Sequence, residues 1–207
     1  MNQIATVSAL TFGAQAFVTL FVILDPPGAT PIFLGLVAGE SDRRKRRMAW
    51  QGAFISFSVI VTFAIFGNAL LGYLNISFAS LQGAGGLLLL ITALGLLTGY
   101  APEEKAGTSK NVALVPLGTP LLAGPGAIVT TMLFVQNAKD WGQISALFIA
   151  IVAVHIVIGL TLMFSTKILA LIKDAGVDLV AKIAGLLLAA IAVEMIVSSI
   201  KAFFNIS

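Results

Sequence analysis

Apolar residues gather along the chain into six blocks, and the polar residues fall mainly in the short breaks between them. The blocks run about 14–38, 48–71, 78–98, 112–135, 143–166 and 179–203. Each is near the roughly 20 residues that a helix needs to cross a hydrocarbon core about 30 Å thick. The pattern therefore predicts an all-α membrane protein with six transmembrane helices. Composition agrees: 58% of residues are hydrophobic, 10% are charged and the mean hydropathy is +1.04. A soluble domain carries about 25% charged residues.

Charge adds an orientation. Arg43, Arg44, Lys45, Arg46 and Arg47 stand together between the first two blocks. Basic loops stay on the cytoplasmic side, and the alternation of spans then assigns Lys105, Lys110, Lys167, Lys173 and Lys182 to the same side. Only Lys139 and Lys201 fall outside. The expected location is the cell membrane, multi-pass, with both termini outside. The opening residues MNQIATVSAL contain no Lys or Arg, so no cleavable signal peptide is expected. The pI of 9.4 reflects this orientation signal, and no nucleic-acid partner is expected.

The chain also repeats itself. Pro27-Gly28-Ala29 recurs as Pro125-Gly126-Ala127, and Ala84-Gly85 with Leu87, Leu88 and Ile91 recurs as Ala184-Gly185 with Leu187, Leu188 and Ile191. The offsets are nearly equal, and the matches occupy corresponding elements of two three-span halves. An odd number of spans per half inverts the second, so the expected architecture is an inverted 3+3 repeat, a design tied to secondary transporters. The first repeat covers 1–100, a polar cytoplasmic linker 101–111, and the second repeat 112–207.

Proline removes a backbone donor and clashes with the preceding turn. The stretches Asp25-Pro26-Pro27-Gly28 and Gly124-Pro125-Gly126 should therefore break helices one and four near the bilayer midplane. In the inverted arrangement the two half-helices that follow point their positive N-termini at a common centre. Asp25 suits the N-cap position with Pro26 at the first helical position, and its carboxylate can reach the Gly28 amide. Gly124 has no side chain to cap with, so the amides of Gly126 and Ala127 are expected to lack an acceptor. A small zwitterion fits this pair of ends, with its carboxylate on the bare amides and its ammonium at Asp25. The candidate substrate-binding positions are Asp25, Gly28, Ala29, Thr30, Gly124, Gly126, Ala127 and Thr130.

Several residues carry two readings. Asp25 is either a structural cap or a site for an ammonium or a coupling proton. His155 and Glu194 are the other proton-coupling candidates, each with a plainer role as a hydrogen-bonded helix-packing residue; for Glu194 the expected partner lies on another helix. Thr130 and Thr131 either meet substrate or bond back to their own helix. Gly83, Gly85, Gly86 and Gly95 are read as close-packing positions.

The segments DPPGATPIFLGL, the basic run after it, AGGLLLLITALGLL and PLLAGPGAIVTTMLF together resemble the MarC family, whose SnatA-type members are small neutral amino-acid transporters. The resemblance spans essentially the whole chain. It implies transport of small neutral amino acids such as glycine or alanine, with a coupling proton or sodium. One departure stands out: the family often has Asn after the first motif glycine, and this chain has Ala29.

Three classes of function are set against one another. An enzyme is not expected, because one histidine, no cysteine and acids scattered over separate spans supply no nucleophile-base pair. For the same reason no metal and no cofactor is expected. A channel, or an exporter of another small polar metabolite or drug-like compound, remains the alternative. A homo-oligomer is compatible with the sequence, and the bilayer is a required partner.

Overall fold

The computed structural model describes residues 8–99 and 122–204. Among them are seven helices and no strand: α1 (Ala9–Leu24), α2 (Pro26–Leu36), α3 (Asp42–Tyr73), α4 (Phe78–Thr98), α5 (Pro125–Asn137), α6 (Trp141–Met163) and α7 (Ser165–Phe204). Five stretches are long and apolar enough to cross a membrane: Ala9–Leu36, Asp42–Tyr73, Phe78–Thr98, Trp141–Met163 and Asp178–Phe204. Of the block expected at 112–135, only α5 and the residues just before it are described. The linker 101–111 and the start of the second repeat, 112–121, lie outside the described residues.

Helix starts follow the local chemistry. Ser8, Ser77 and Asp140 each accept a hydrogen bond from the amide three residues on, at 3.2, 3.1 and 2.8 Å, which satisfies a donor that the first turn leaves free. Two expected loops are helical instead. The basic run forms the opening turns of α3 behind Ser41, because Arg and Lys are good helix formers and Asp42 suits the positive end. The chain between the last two blocks also folds as helix, so that α6 and α7 are separated only by Phe164. That stretch lacks proline, and its Ile, Leu and Lys residues continue the helix. α7 thus reaches 40 residues, about 60 Å at ~1.5 Å per residue.

The helices pack in a connected bundle. α6 is held by α1 and α3, α5 rests on α3 and α4, α2 lies against α6 and α7, and α4 lies along α7. One buried cluster joins Phe12, Leu20, Leu24, Ala29 and Phe33 to Ala127, Ile151 and Ile158. A second joins Leu89, Ala93 and Val129 to Leu188, Ala192 and Met195. Large apolar side chains such as Phe54, Ile65, Leu87 and Leu186 face outward, as a lipid-facing surface requires.

The seam between α4 and α7 depends on glycine. A Cβ on Gly86 would stand 2.8 Å from Ile196 and 2.9 Å from the Ala192 carbonyl oxygen, while one on Gly185 would stand 3.1 Å from the Ala93 carbonyl oxygen. Lipid chains are as apolar as leucine, so close backbone approach rather than water exclusion has to hold such a pair. Gly86→Leu is expected to lower the stability of the detergent-solubilised protein by about 1–3 kcal/mol, because the obstacle is backbone. Gly35→Ala meets nothing within 4 Å and should leave the thermal midpoint unchanged or raised. Equal midpoints for the two variants in a thermal unfolding series would contradict this account of the seam.

Candidate functional site

The site is built around one residue between two helices. α1 ends at Leu24, α2 begins at Pro26, and Asp25 between them takes φ 38° and ψ 64°. Left-handed backbone is costly for most side chains but tolerated by Asp and Asn. Asp25 closes one helix and opens the next: its amide donates to the Phe21 carbonyl at 3.1 Å and its carbonyl accepts the Ala29 amide at 2.9 Å. Its carboxylate accepts from the Gly28 amide at 3.2 Å. A Cβ on Gly28 would collide with that carboxylate, so a larger residue there would have to displace it from the Gly28 amide. Pro26 stands at the start of α2, where its missing amide has no cost. Thr30 is buried and its hydroxyl bonds back to the Pro26 carbonyl at 3.0 Å. Pro31 inside α2 removes one more backbone donor.

α5 begins differently. Gly124 stands at its N-cap with no side-chain hydrogen bond, and Pro125 follows. The expectation that the Gly126 and Ala127 amides both lack an acceptor is corrected for Ala127: its amide donates to the Gly124 carbonyl at 3.0 Å, and the Ile128 amide to the same oxygen at 3.3 Å. A tight first turn has recruited the available carbonyl, as helix starts often do. Gly126 is buried against Leu89 and has no room for a Cβ. Thr131 bonds back to the Ala127 carbonyl at 2.8 Å, whereas Thr130 points to α7, with its hydroxyl 3.9 Å from the Met195 sulfur. Ala29 and Ala127, each two residues after a proline in the first turn of its helix, share the first buried cluster with Leu24.

The two other titratable candidates lie apart from this junction. His155 on α6 is buried, with Nδ1 donating to the Ile151 carbonyl at 2.7 Å. Nε2 is then left as an acceptor, and the Ser56 hydroxyl of α3 donates to it at 3.1 Å. The ring also meets the Phe57 ring edge-on, centroids 5.5 Å apart. Ser56 was not singled out from the sequence, although the separation of 99 residues between it and His155 falls within the repeat offset. Glu194 is corrected. It lies on the exposed face of α7 and has no hydrogen bond or ion pair to another described residue, because the rotation of α7 turns Ala192 and Met195 inward and Glu194 outward.

Among the described residues no group of three His, Cys, Asp or Glu is arranged to hold a metal ion. The start of α2 offers one carboxylate, and the starts of α2 and α5 each offer a helix N-terminus flanked by small side chains.

Comparison with known proteins agrees on one family. A model described as MarC family integral membrane protein matches residues 10–204. A UPF0056 membrane protein of Archaeoglobus fulgidus is 33% identical over 194 residues, which cover 90% of this chain and 91% of the relative. One from Methanocaldococcus jannaschii is 34% identical, covering 93% of this chain and 97% of its own length. The UPF0056 membrane protein YvbG of Bacillus subtilis is 29% identical, covering 95% and 97%. No solved structure matches the chain. The chain belongs to the MarC family of integral membrane proteins.

Proposed function

We propose that this protein is a secondary transporter of small neutral amino acids, with the zwitterion held between the N-termini of α2 and α5. The observation that carries the reading is Asp25, a carboxylate set at a break between two helices within an otherwise apolar stretch. An acid inside such a stretch is costly to keep and is functional by default. The start of α5 supplies the opposite character, a helix N-terminus with no side-chain cap that favours a negative group. At the α5 start a Cβ built on Gly124 meets nothing within 4 Å, which leaves open space beside that N-terminus.

The inverted repeat of six spans, with helices one and four broken, is part of this reading and draws support from the packing. Exchanging the halves pairs α2 with α5, α3 with α6 and α4 with α7. Under that exchange the contact of α2 with α7 maps onto that of α5 with α4, and the contact of α2 with α6 onto that of α5 with α3; all four occur. The contacts α3 with α6 and α4 with α7 map onto themselves. Ser56 and His155 are equivalent positions that touch each other, as residues near a pseudo-two-fold axis do. Transporters of this design bind substrate where the repeats meet. On this reading both termini lie outside, in the plasma membrane, and a proton or sodium ion is the coupling ion.

Two measurements test the proposal. In proteoliposomes, labelled alanine uptake should saturate and show counterflow, and glycine should compete while ethylamine, which lacks the carboxylate, should not. Non-saturating flux would favour a channel, and equal competition by the amine would remove the role given to the α5 start. Asp25→Asn separates charge from capping, because Asn keeps an acceptor for Gly28 and tolerates the left-handed backbone. Its stability should stay within about 1 kcal/mol of the parent, while substrate affinity falls by about tenfold or more, equivalent to about 1.4 kcal/mol per decade. Unchanged affinity in a stable Asp25→Asn protein would reduce this carboxylate to a cap.

A further inference from the structure

A cleft of about 170 Å³ lies where α3 begins and α6 passes into α7. Lys45 and Arg46 of α3 line it together with Asp42, and α7 contributes Ser165, Thr166 and Lys167. Three cations face one carboxylate there. None of these four charged groups is in an ion pair among the described residues, whereas the neighbouring Arg44 is committed to Glu40 at 3.3 Å. Lys167 rests 5.9 Å over the Phe164 ring, a contact that leaves its ammonium free to donate.

The second observation is Ser165. It is 3% exposed, it opens on the cleft, and its hydroxyl has no hydrogen-bond partner among the described residues. No fully buried side-chain oxygen among the described residues lacks a partner, so the Ser165 oxygen is reached from the cleft, where a ligand or water can complete it. Here it stands in the first turn of a 40-residue helix, where anions are favoured. An arginine fork, two ammonium groups and two hydroxyls supply more donors than the two oxygens of a carboxylate can accept, and suit a phosphate. The volume is that of about five or six waters, enough for a phosphate with part of its hydration. Met163 and Phe164, at the end of a helix apolar enough to span the membrane, complete the lining. They put the apolar part of any ligand on the bilayer side.

We propose that this cleft is a phosphate-binding site at the membrane surface, filled by the headgroup of an anionic phospholipid or by free phosphate. Basic pockets between helices at this level are suited to such headgroups. The site is independent of the transport reading, since neither Asp25 nor α5 takes part in it.

The test uses the full chain purified in a neutral detergent, with thermal unfolding followed during titration. The additives are phosphatidylglycerol, phosphatidylcholine, inorganic phosphate, and sodium chloride at matched ionic strength. A ligand of the native state raises the midpoint by mass action. The midpoint is expected to rise with phosphatidylglycerol or with phosphate, and the arm that responds identifies the source. It should not move with phosphatidylcholine or chloride.

The triple variant Lys45→Gln, Arg46→Gln, Lys167→Gln should weaken the response by roughly tenfold or more. The variant Arg43→Gln, Arg44→Gln, Arg47→Gln removes the same charge from a separate groove and should weaken it far less. No rise with either anion, or equal loss in both triple variants, would overturn the site in favour of diffuse charge attraction. Ser165→Ala keeps every charge and carries the test should the first triple variant fail to fold. Weakened binding there supports the site and unchanged binding overturns it.

Discussion

Backbone polar groups in an apolar solvent must find partners within the protein, and every break in a membrane helix has to answer that demand locally. In this chain the answer is concentrated in Asp25. Its amide ends α1, its carbonyl begins α2 and its carboxylate takes the Gly28 donor, so one residue satisfies groups on both sides of the interruption. Few other side chains serve. A hydrophobic residue would leave the donor bare and strain the left-handed backbone, and glycine would accept the backbone angle but not the amide. The position of α2, and with it Ala29, Thr30 and Phe33 in the core, depends on that double cap.

Much of this geometry is legible in the residues. Proline at the head of α2 and α5, aspartate before one and glycine before the other predict two differently capped helix starts, because capping is decided within four residues. The packing glycines of α4 are legible for a similar reason, since few other roles exist for clustered glycine in an apolar helix. Partnerships between helices are not. Nothing local to Ser56 marks it as the donor to His155, and only the repeat offset hints at the pairing. The outward face of Glu194 is not legible either, because periodicity on a helix apolar nearly all round carries little phase information: with leucine, alanine and valine on every side, the sequence does not say which face turns inward. The partner of the Ala127 amide is hidden from the sequence because a first turn can tighten onto its own cap carbonyl.

The bundle is held by two kinds of contact with different physics. Along α4 and α7 the backbones approach closely, and dispersion between well-fitted surfaces holds them. Between α3 and α6 a buried hydroxyl-imidazole bond, flanked by the Phe57 ring, gives a directional tie. A bond of this kind is worth only about 0.6 kcal/mol on average between membrane helices, yet it is directional and sets which turns of α3 and α6 face each other. The bundle therefore combines one seam fixed by shape with one fixed in register.

The length of α7 has a consequence for where the helix can lie. At 40 residues and ~1.5 Å per residue α7 measures about 60 Å, twice the roughly 30 Å of a hydrocarbon core. A helix of that length cannot be contained in the apolar layer, so part of it stands in the polar region or in water. Lys167, Lys173, Asp174, Asp178 and Lys182 all fall in its first half, which suits that half to the polar side. As a single helix, α7 thus joins the membrane interior to the aqueous side.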